Sequence, residues 1–248
     1  MPYKYTLAKK YDYLKESLLD IENIFSNNDN SIHKARNELK IIDFGTTKCV
    51  VKSFKVPHLL NRIAYSFFRK GKAQKSYTNA LLLQELHIET PEPIAIIEFF
   101  NASLITNSYF ITLLEPYEFT IREVFHHTVS DYKEILKQFT KFTYEINKKG
   151  VWHVDYSLGN ILISQKDDHY KFSLVDINRM KFREITGYEG LKNFNKFWAK
   201  DDEDLILIAK EYARLASLDE TKSIKIILEE SEKLKAQSNF KKKIKSLF

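Results

Sequence analysis

One amphipathic run, stopped by a glycine and followed at once by a polar loop, constrains this chain more than any other feature. Between residues 130 and 150, Ile135, Leu136, Phe139, Phe142 and Ile146 recur at helical spacing and form one apolar stripe. Ser130 is the expected N-cap. Lys148 and Lys149 suit the carbonyl end of the helix, and Gly150 suits the left-handed position beyond it. V-W-H-V-D-Y-S-L-G-N-I-L-I follows, residues 151–163, in which a polar loop closes on an apolar strand. Loops that only connect elements seldom bring an aspartate, Asp155, and an asparagine, Asn160, together around a glycine. Loops that hold metal and phosphate often do.

The rest of the chain divides around that helix. Apolar positions at residues 12–25 read as a first helix, broken by S-N-N-D-N-S. A short extended piece near Ile32, strands at 39–43 and through C-V-V-K-S-F, and a helix over 73–87 follow, with T-P-E-P expected to end that helix. I-A-I-I-E-F-F and Y-F-I-T-L-L-E read as paired strands joined through N-A-S. Beyond the polar loop, strands at 161–164 and 170–175 form a hairpin through Q-K-D-D-H, and helices are expected near 191–198, 203–216 and 223–236. The front is mixed and the back mainly helical, with no internal repeat.

Composition narrows the classes. The chain has 248 residues, 44% of them hydrophobic and 14% aromatic, enough for a packed core and contrary to disorder. No apolar run approaches the length of a membrane span, and the first residues lack the apolar core of a signal peptide. The single cysteine, Cys49, reads as a packed strand residue and fits a cytoplasmic location. His126-His127 has no acidic or cysteine partner at ligand spacing, which argues against zinc. Trp198 and D-D-E-D, residues 201–204, read as core packing and a charged helix start.

The net charge of +6 is unevenly spread. Residues 44–84 contain no acid but carry Lys48, Lys52, Lys55, Arg62, Arg69, Lys70, Lys72 and Lys75. The tail adds Lys233, Lys235, Lys241–Lys243 and Lys245. Such patches are either solvated faces or surfaces for an anionic partner. No nucleic-acid reader motif accompanies them, so no nucleic-acid partner is expected.

Four residues fit one chemistry. Phosphoryl transfer needs a cation on the phosphates, oxygen ligands for Mg²⁺ and a carboxylate near the acceptor hydroxyl. Lys52 on its apolar strand suits the first need. Asn160 and Asp176, the latter ending the hairpin in L-V-D-I-N, suit the second, and Asp155 suits the third.

H-V-D-Y-S-L-G-N resembles the H-x-D-x-x-x-x-N catalytic loop of the protein-kinase-like superfamily. V-V-K resembles its strand lysine and L-V-D-I-N its metal-binding D-F-G. Within that superfamily the chain is most similar to the bacterial lipopolysaccharide core kinases, which phosphorylate Kdo or heptose. A-R-N-E-L-K, V-V-K-S-F, K-A-Q-K-S-Y-T-N-A, T-P-E-P and W-H-V-D-Y-S-L-G-N-I-L carry this likeness. The resemblance implies an α+β, bilobal protein-kinase-like fold. Residues 1–115 would form a small sheet-containing N-lobe, and residues 116–248 a mainly helical C-lobe. It also implies ATP and Mg²⁺. Lys52 would bind the phosphates, Asp155 would be the catalytic base, His153 would brace the loop, and Asn160 and Asp176 would hold the metal. Glu115 would begin the hinge that meets the adenine. Asn79 stands where the helix glutamate that partners the lysine is expected, with Glu85 further on as the other choice.

Departures from the superfamily pattern shape the expectation. Only Gly45 precedes Lys52, so K-A-R-N, residues 34–37, must replace a glycine-rich phosphate loop. Val154 replaces the arginine of regulated protein kinases, and no A-P-E follows Asp176, which leaves little room for a peptide platform. The acceptor expected by resemblance is a lipopolysaccharide core sugar or another lipid-linked sugar. Alternatives are an aminoglycoside- or choline-type phosphotransferase, a protein kinase, or a pseudokinase scaffold. The basic tail, with Phe240, Ile244, Leu247 and Phe248 on one helical side, reads as a frayed terminus or as peripheral contact with an anionic membrane on its cytoplasmic face.

Overall fold

The structure, a computed structural model, describes residues 2–35, 37–55, 71–166, 169–197, 199 and 201–245, without the side chains of 166 and 241–245. Arg36 of the K-A-R-N segment, Arg62, Arg69 and Lys70 of the basic stretch, Trp198, Leu247 and Phe248 lie outside the described residues, as does the side chain of Ile244. The chain forms two compact units, Met1–Pro116 and Tyr117–Phe248.

The first unit is built on an antiparallel sheet. Its strands are β1 (Tyr3–Leu7), β2 (Ser31–Lys34), β3 (Glu38–Asp43), β4 (Lys48–Ser53), β5 (Pro93–Asn101) and β6 (Leu104–Leu113), in the order β1-β5-β6-β4-β3-β2. Side chains alternate between its faces. Cys49 and Val51 of β4, Ile97 and Phe99 of β5, and Tyr109 and Ile111 of β6 join one core with Leu14, Leu18, Ile21 and Phe25. Those last four were expected on one helix. The chain instead forms a 3₁₀ turn at Lys9–Leu14, then α1 (Lys15–Leu19) and α2 (Ile21–Asn27). Asp20 makes the break. Its backbone leaves helical angles (φ −95°, ψ 18°), its amide closes on the Ser17 carbonyl at 3.2 Å in a 3₁₀-type turn, and its carbonyl begins the second helix. Lys40, buried despite its charge, donates to the Phe25 and Asn28 carbonyls at 2.8 and 2.6 Å and closes the C-terminal end of α2.

Helix α3 (Lys72–Glu85) buries Ala73, Tyr77, Ala80 and Leu83 and packs on β5 and β6. It stops well before the proline expected to end it. His87 takes a left-handed φ of 52°, and the His87 and Ile88 amides close back on Gln84 and Leu83.

The second unit opens with β7 (Phe119–Thr120) and α4 (Ile121–Phe125). Thr120 and Glu123 form a reciprocal capping box on α4. Helix α5 (Tyr132–Lys148) is the anticipated stripe, with Asp131 rather than Ser130 at its N-cap. Strand β8 (Val151–His153) pairs with β11 (Met180–Phe182), and β9 (Ile161–Lys166) lies between β10 (His169–Leu174) and β7. A 3₁₀ stretch at Gly187–Lys196 stands where a helix was expected, followed by α6 (Asp202–Ala216) and α7 (Glu220–Lys245). Gly190 lies so close to the Tyr212 hydroxyl and Asn147 amide that a Cβ there would overlap both. Aromatic rings make the core. Phe139 packs against Tyr156, Phe172, Phe194 and Phe197, and Phe125 stacks on Phe197 with centroids 5.0 Å apart. Asp204 of the D-D-E-D run is buried, and the His127 ring pairs with it at 2.9 Å.

Candidate active site

The polar loop begins where α5 ends. Gly150 has φ 73°, which a residue with a Cβ adopts reluctantly, and an added Cβ would meet the Arg183 carbonyl at 2.9 Å. That close pass lets the Arg183 amide donate to the Gly150 carbonyl and aligns β11 with β8, so Met180 lies opposite His153.

His153 is almost completely buried. Its Nδ1 accepts from the Asp155 backbone amide at 3.1 Å, so Nε2 carries the proton and donates to the Val175 carbonyl at 2.9 Å. The neutral ring therefore ties the residue before Asp176 to the start of the loop. Burial pushes its pKa down, against the upward pull of the Val175 carbonyl and of the Asp176 and Asp155 charges.

Three further contacts shape the loop. Tyr156 turns into the core, where its hydroxyl lies 2.8 Å from Thr143 Oγ1. Thr143 already donates to the Phe139 carbonyl, so Tyr156 is the donor to Thr143. Burial holds the phenol far above its usual range. Asn160 spends its amide nitrogen inside the loop, donating to the Asp155 carbonyl at 2.8 Å and to Ser157 Oγ at 3.1 Å. Its Oδ1 is the end that remains for a cation. The Asn160 carbonyl in turn accepts from the Val175 amide at 3.0 Å.

Asp176 follows immediately, in the left-handed conformation (φ 53°, ψ 45°), and accepts from Asn178 Nδ2 at 2.7 Å. The second unit thus brings together Asp155, His153, Asn160 and Asp176, all named from the sequence. One carboxylate and one amide oxygen are the donor set Mg²⁺ uses when phosphates and waters complete its octahedron, so the residues present fit that ion. Among the described residues there is no cluster of three or more His, Cys, Asp or Glu side chains suited to holding a metal.

Two residues at the site were not foreseen. Arg179 forms an ion pair with Asp155 Oδ2, and Lys196 donates to the Val154 carbonyl while its Nζ stands 3.6 Å from Asp155 Oδ1. Arg179 follows directly on L-V-D-I-N, a proximity readable in the chain. Lys196 lies 41 positions beyond Asp155, and nothing local marks it.

Lys52, Asn79 and Glu115 belong to the first unit. Lys52 sits in mid-β4 between Leu39 and Phe110, half-buried, its ammonium 5.4 Å from the Phe54 ring centroid. Alternation turns it away from the core of Cys49 and Val51, onto the face where α3 begins beside Glu98. Asn79 lies on α3, half-buried, whereas Glu85 is exposed in its last turn. Glu115 follows β6, just after Leu114, whose amide donates to the Lys48 carbonyl.

The chain has an α+β, protein-kinase-like fold, with a sheet-rich N-terminal unit and a helical C-terminal unit. No family model matches the chain, and no curated protein matches it in sequence. Among solved structures, the chain in "WaaP in complex with acyl carrier protein" superposes with a TM-score of 0.61 at 16% identity, over 93% of this chain and 99% of that one. At that identity the likeness establishes the fold.

Proposed function

We propose that this chain is an ATP-dependent kinase that phosphorylates a hydroxyl of a lipopolysaccharide inner-core sugar, Kdo or heptose. The observation that carries the reading is the convergence of Asp155, Asn160 and Asp176 around the buried, neutral His153. The kinase-like fold shared with that WaaP chain supports it. So do the sequence motifs that resemble those of the lipopolysaccharide core kinases.

In the reaction, Asp155 accepts the proton of the acceptor hydroxyl. The acceptor oxygen forms a bond to the γ-phosphorus, the bond from that phosphorus to the bridging oxygen breaks, and ADP leaves. His153 and Asn160 hold the Asp155 backbone, so the carboxylate is positioned before the acceptor arrives. Asn160 and Asp176 would hold Mg²⁺, which neutralises charge on the phosphates. Lys52 would bind the phosphates, aided through α3 by Asn79, and the segment beginning at Glu115 would meet the adenine. Residues 1–115 would form the nucleotide lobe and 116–248 the acceptor lobe. Two cations facing one carboxylate favour an anionic acceptor over a cationic aminoglycoside or choline.

Action at the inner face of the inner membrane needs no spanning segment, and among the described residues no helix is long and apolar enough to cross a membrane. The end of α7 would supply peripheral contact with anionic lipid. Phe240 is exposed there, whereas Lys233 and Lys235 already pair with Glu230 and Glu232.

The test is transfer of labelled γ-phosphate from ATP to Kdo–lipid A, heptosylated core and a generic protein. Transfer to a core sugar, reduced about 10²- to 10⁴-fold in Asp155→Ala while a fluorescent ATP analogue still binds, supports the proposal. Transfer only to the protein acceptor, or undiminished turnover in Asp155→Ala, refutes it.

A further inference from the structure

Two cations, Arg179 and Lys196, face the Asp155 carboxylate. Lys196 is half-buried, bonded to the Val154 carbonyl as well as facing Asp155, and so is held from two sides. Arg179 differs. Its side chain is 55% exposed, and no contact besides the one to Asp155 Oδ2 ties its guanidinium among the hydrogen bonds and ion pairs described. A guanidinium offers five N–H donors in a planar fork, and the contact to Asp155 uses only Nη2. Exposed ion pairs are weak, so a ligand anion gripped by both arms of the fork can take Arg179 from Asp155. Asp155 then keeps Lys196 as its cation. A third cation lies along the same loop: a Cβ placed on Gly159 would come 3.4 Å from Arg122 Nη2.

We infer that Arg179 is a specificity-determining residue: it binds an anionic group, carboxylate or phosphate, carried by the acceptor near the hydroxyl that reacts. Before the acceptor arrives, Arg179 is paired with the base. The acceptor's anion draws it away, uncovering Asp155 Oδ2 for the hydroxyl proton. Alcohols that carry no such anion leave the base paired. This deepens the kinase reading of the same site and rests on it, but the anion subsite has a test of its own.

That test follows the arginine Nε–Hε NMR signals of the full chain during titration with inorganic phosphate and, separately, acetate at constant ionic strength. The Arg179 signal is the one absent from Arg179→Lys. A saturable shift of that signal supports the subsite, and the stronger of the two titrations identifies its anion. No saturable shift with either anion overturns it. Transfer from ATP is then compared within matched pairs: free Kdo against its methyl ester for the carboxylate, and heptose phosphate against heptose for the phosphate. The wild type should prefer the charged member of at least one pair. Arg179→Gln should lose about 10- to 100-fold of that preference, through a raised KM for the charged acceptor and a raised kcat for the uncharged one, whose base it frees. An unchanged preference overturns the inference. So does an equal fall in kcat for charged and uncharged acceptors, which would place Arg179 on the base or the transferred group. A saturable shift without transfer to any acceptor retires the kinase reading and leaves the subsite standing. Transfer with no preference for the charged acceptor does the reverse.

Discussion

The loop around Asp155 and the strand that carries Lys52 present functional groups in different ways. The loop is closed on itself by bonds among His153, Asp155, Ser157 and Asn160, and Tyr156 plunges from its centre into the aromatic core. Lys52 projects from a strand whose ladder would be the same with any side chain, on the face turned from the core of Cys49 and Val51. In the second unit the candidate site and the core therefore share residues, while in the first Lys52 is separated from the core by the alternation of a single strand. Damage to packing should reach the loop chemistry. Damage at Lys52 should leave the packing intact and, on the proposed function, fall on nucleotide binding.

That contrast is most exposed at Tyr156. Tyr156→Ala should destabilise the protein by about 3–5 kcal/mol in denaturant unfolding, because it empties a ring-sized site. Tyr156→Phe, which removes only the hydroxyl and leaves Thr143 bonded to Phe139, should cost about 1 kcal/mol. Comparable losses for the two substitutions would mean that the ring is not the loop's anchor. Lys52→Met should lower affinity for a fluorescent ATP analogue about 10- to 100-fold. Its unfolding midpoint should stay near that of the wild type. A large drop in midpoint would show that Lys52 serves stability as well.

Smaller effects concern protons. His153 has its pKa held below the ordinary 6.5 by burial, so on acidification the unfolded chain takes up a proton that the folded chain refuses. The stabilising effect of the neutral ring is complete above pH 6.5. It is lost progressively as pH falls from there toward the lower folded value. Urea midpoints measured between pH 7.5 and 5.5 should fall more for the wild type than for His153→Gln, and parallel curves would refute this origin. The smallest effect is at Cys49, whose thiol is pushed up to about 12 chiefly by burial, with the Asp43 charge adding to it. Alkylation at pH 8 should be slow in the native protein and fast in urea. Rapid native labelling would mean that the β4 face opens.

The two regions also differed in how far they could be read from the chain. H-V-D-Y-S-L-G-N and L-V-D-I-N lie close in sequence, joined by one hairpin, so their convergence follows from strand pairing and loop closure. The stripe of α5 and its glycine stop were legible for the same reason, since periodicity and a left-handed terminus are local properties. The first helix was misread as continuous because its apolar spacing survives the break. What interrupts it is the turn of the backbone at Asp20. The pairing of β1 with β5 left no signature, because a strand's partner lies outside its own sequence.

Residue type and spacing were enough to single out three groups that the folded loop and hairpin gather: a carboxylate, an amide and a second carboxylate. The state of those groups came from the folded chain. Burial makes His153 neutral and a donor to Val175, and the long return from Asp155 to Lys196, with Arg179 beside them, surrounds the carboxylate with cations. Protonation and ion pairing depend on distance and dielectric across segments remote in sequence, and no local pattern encodes those quantities.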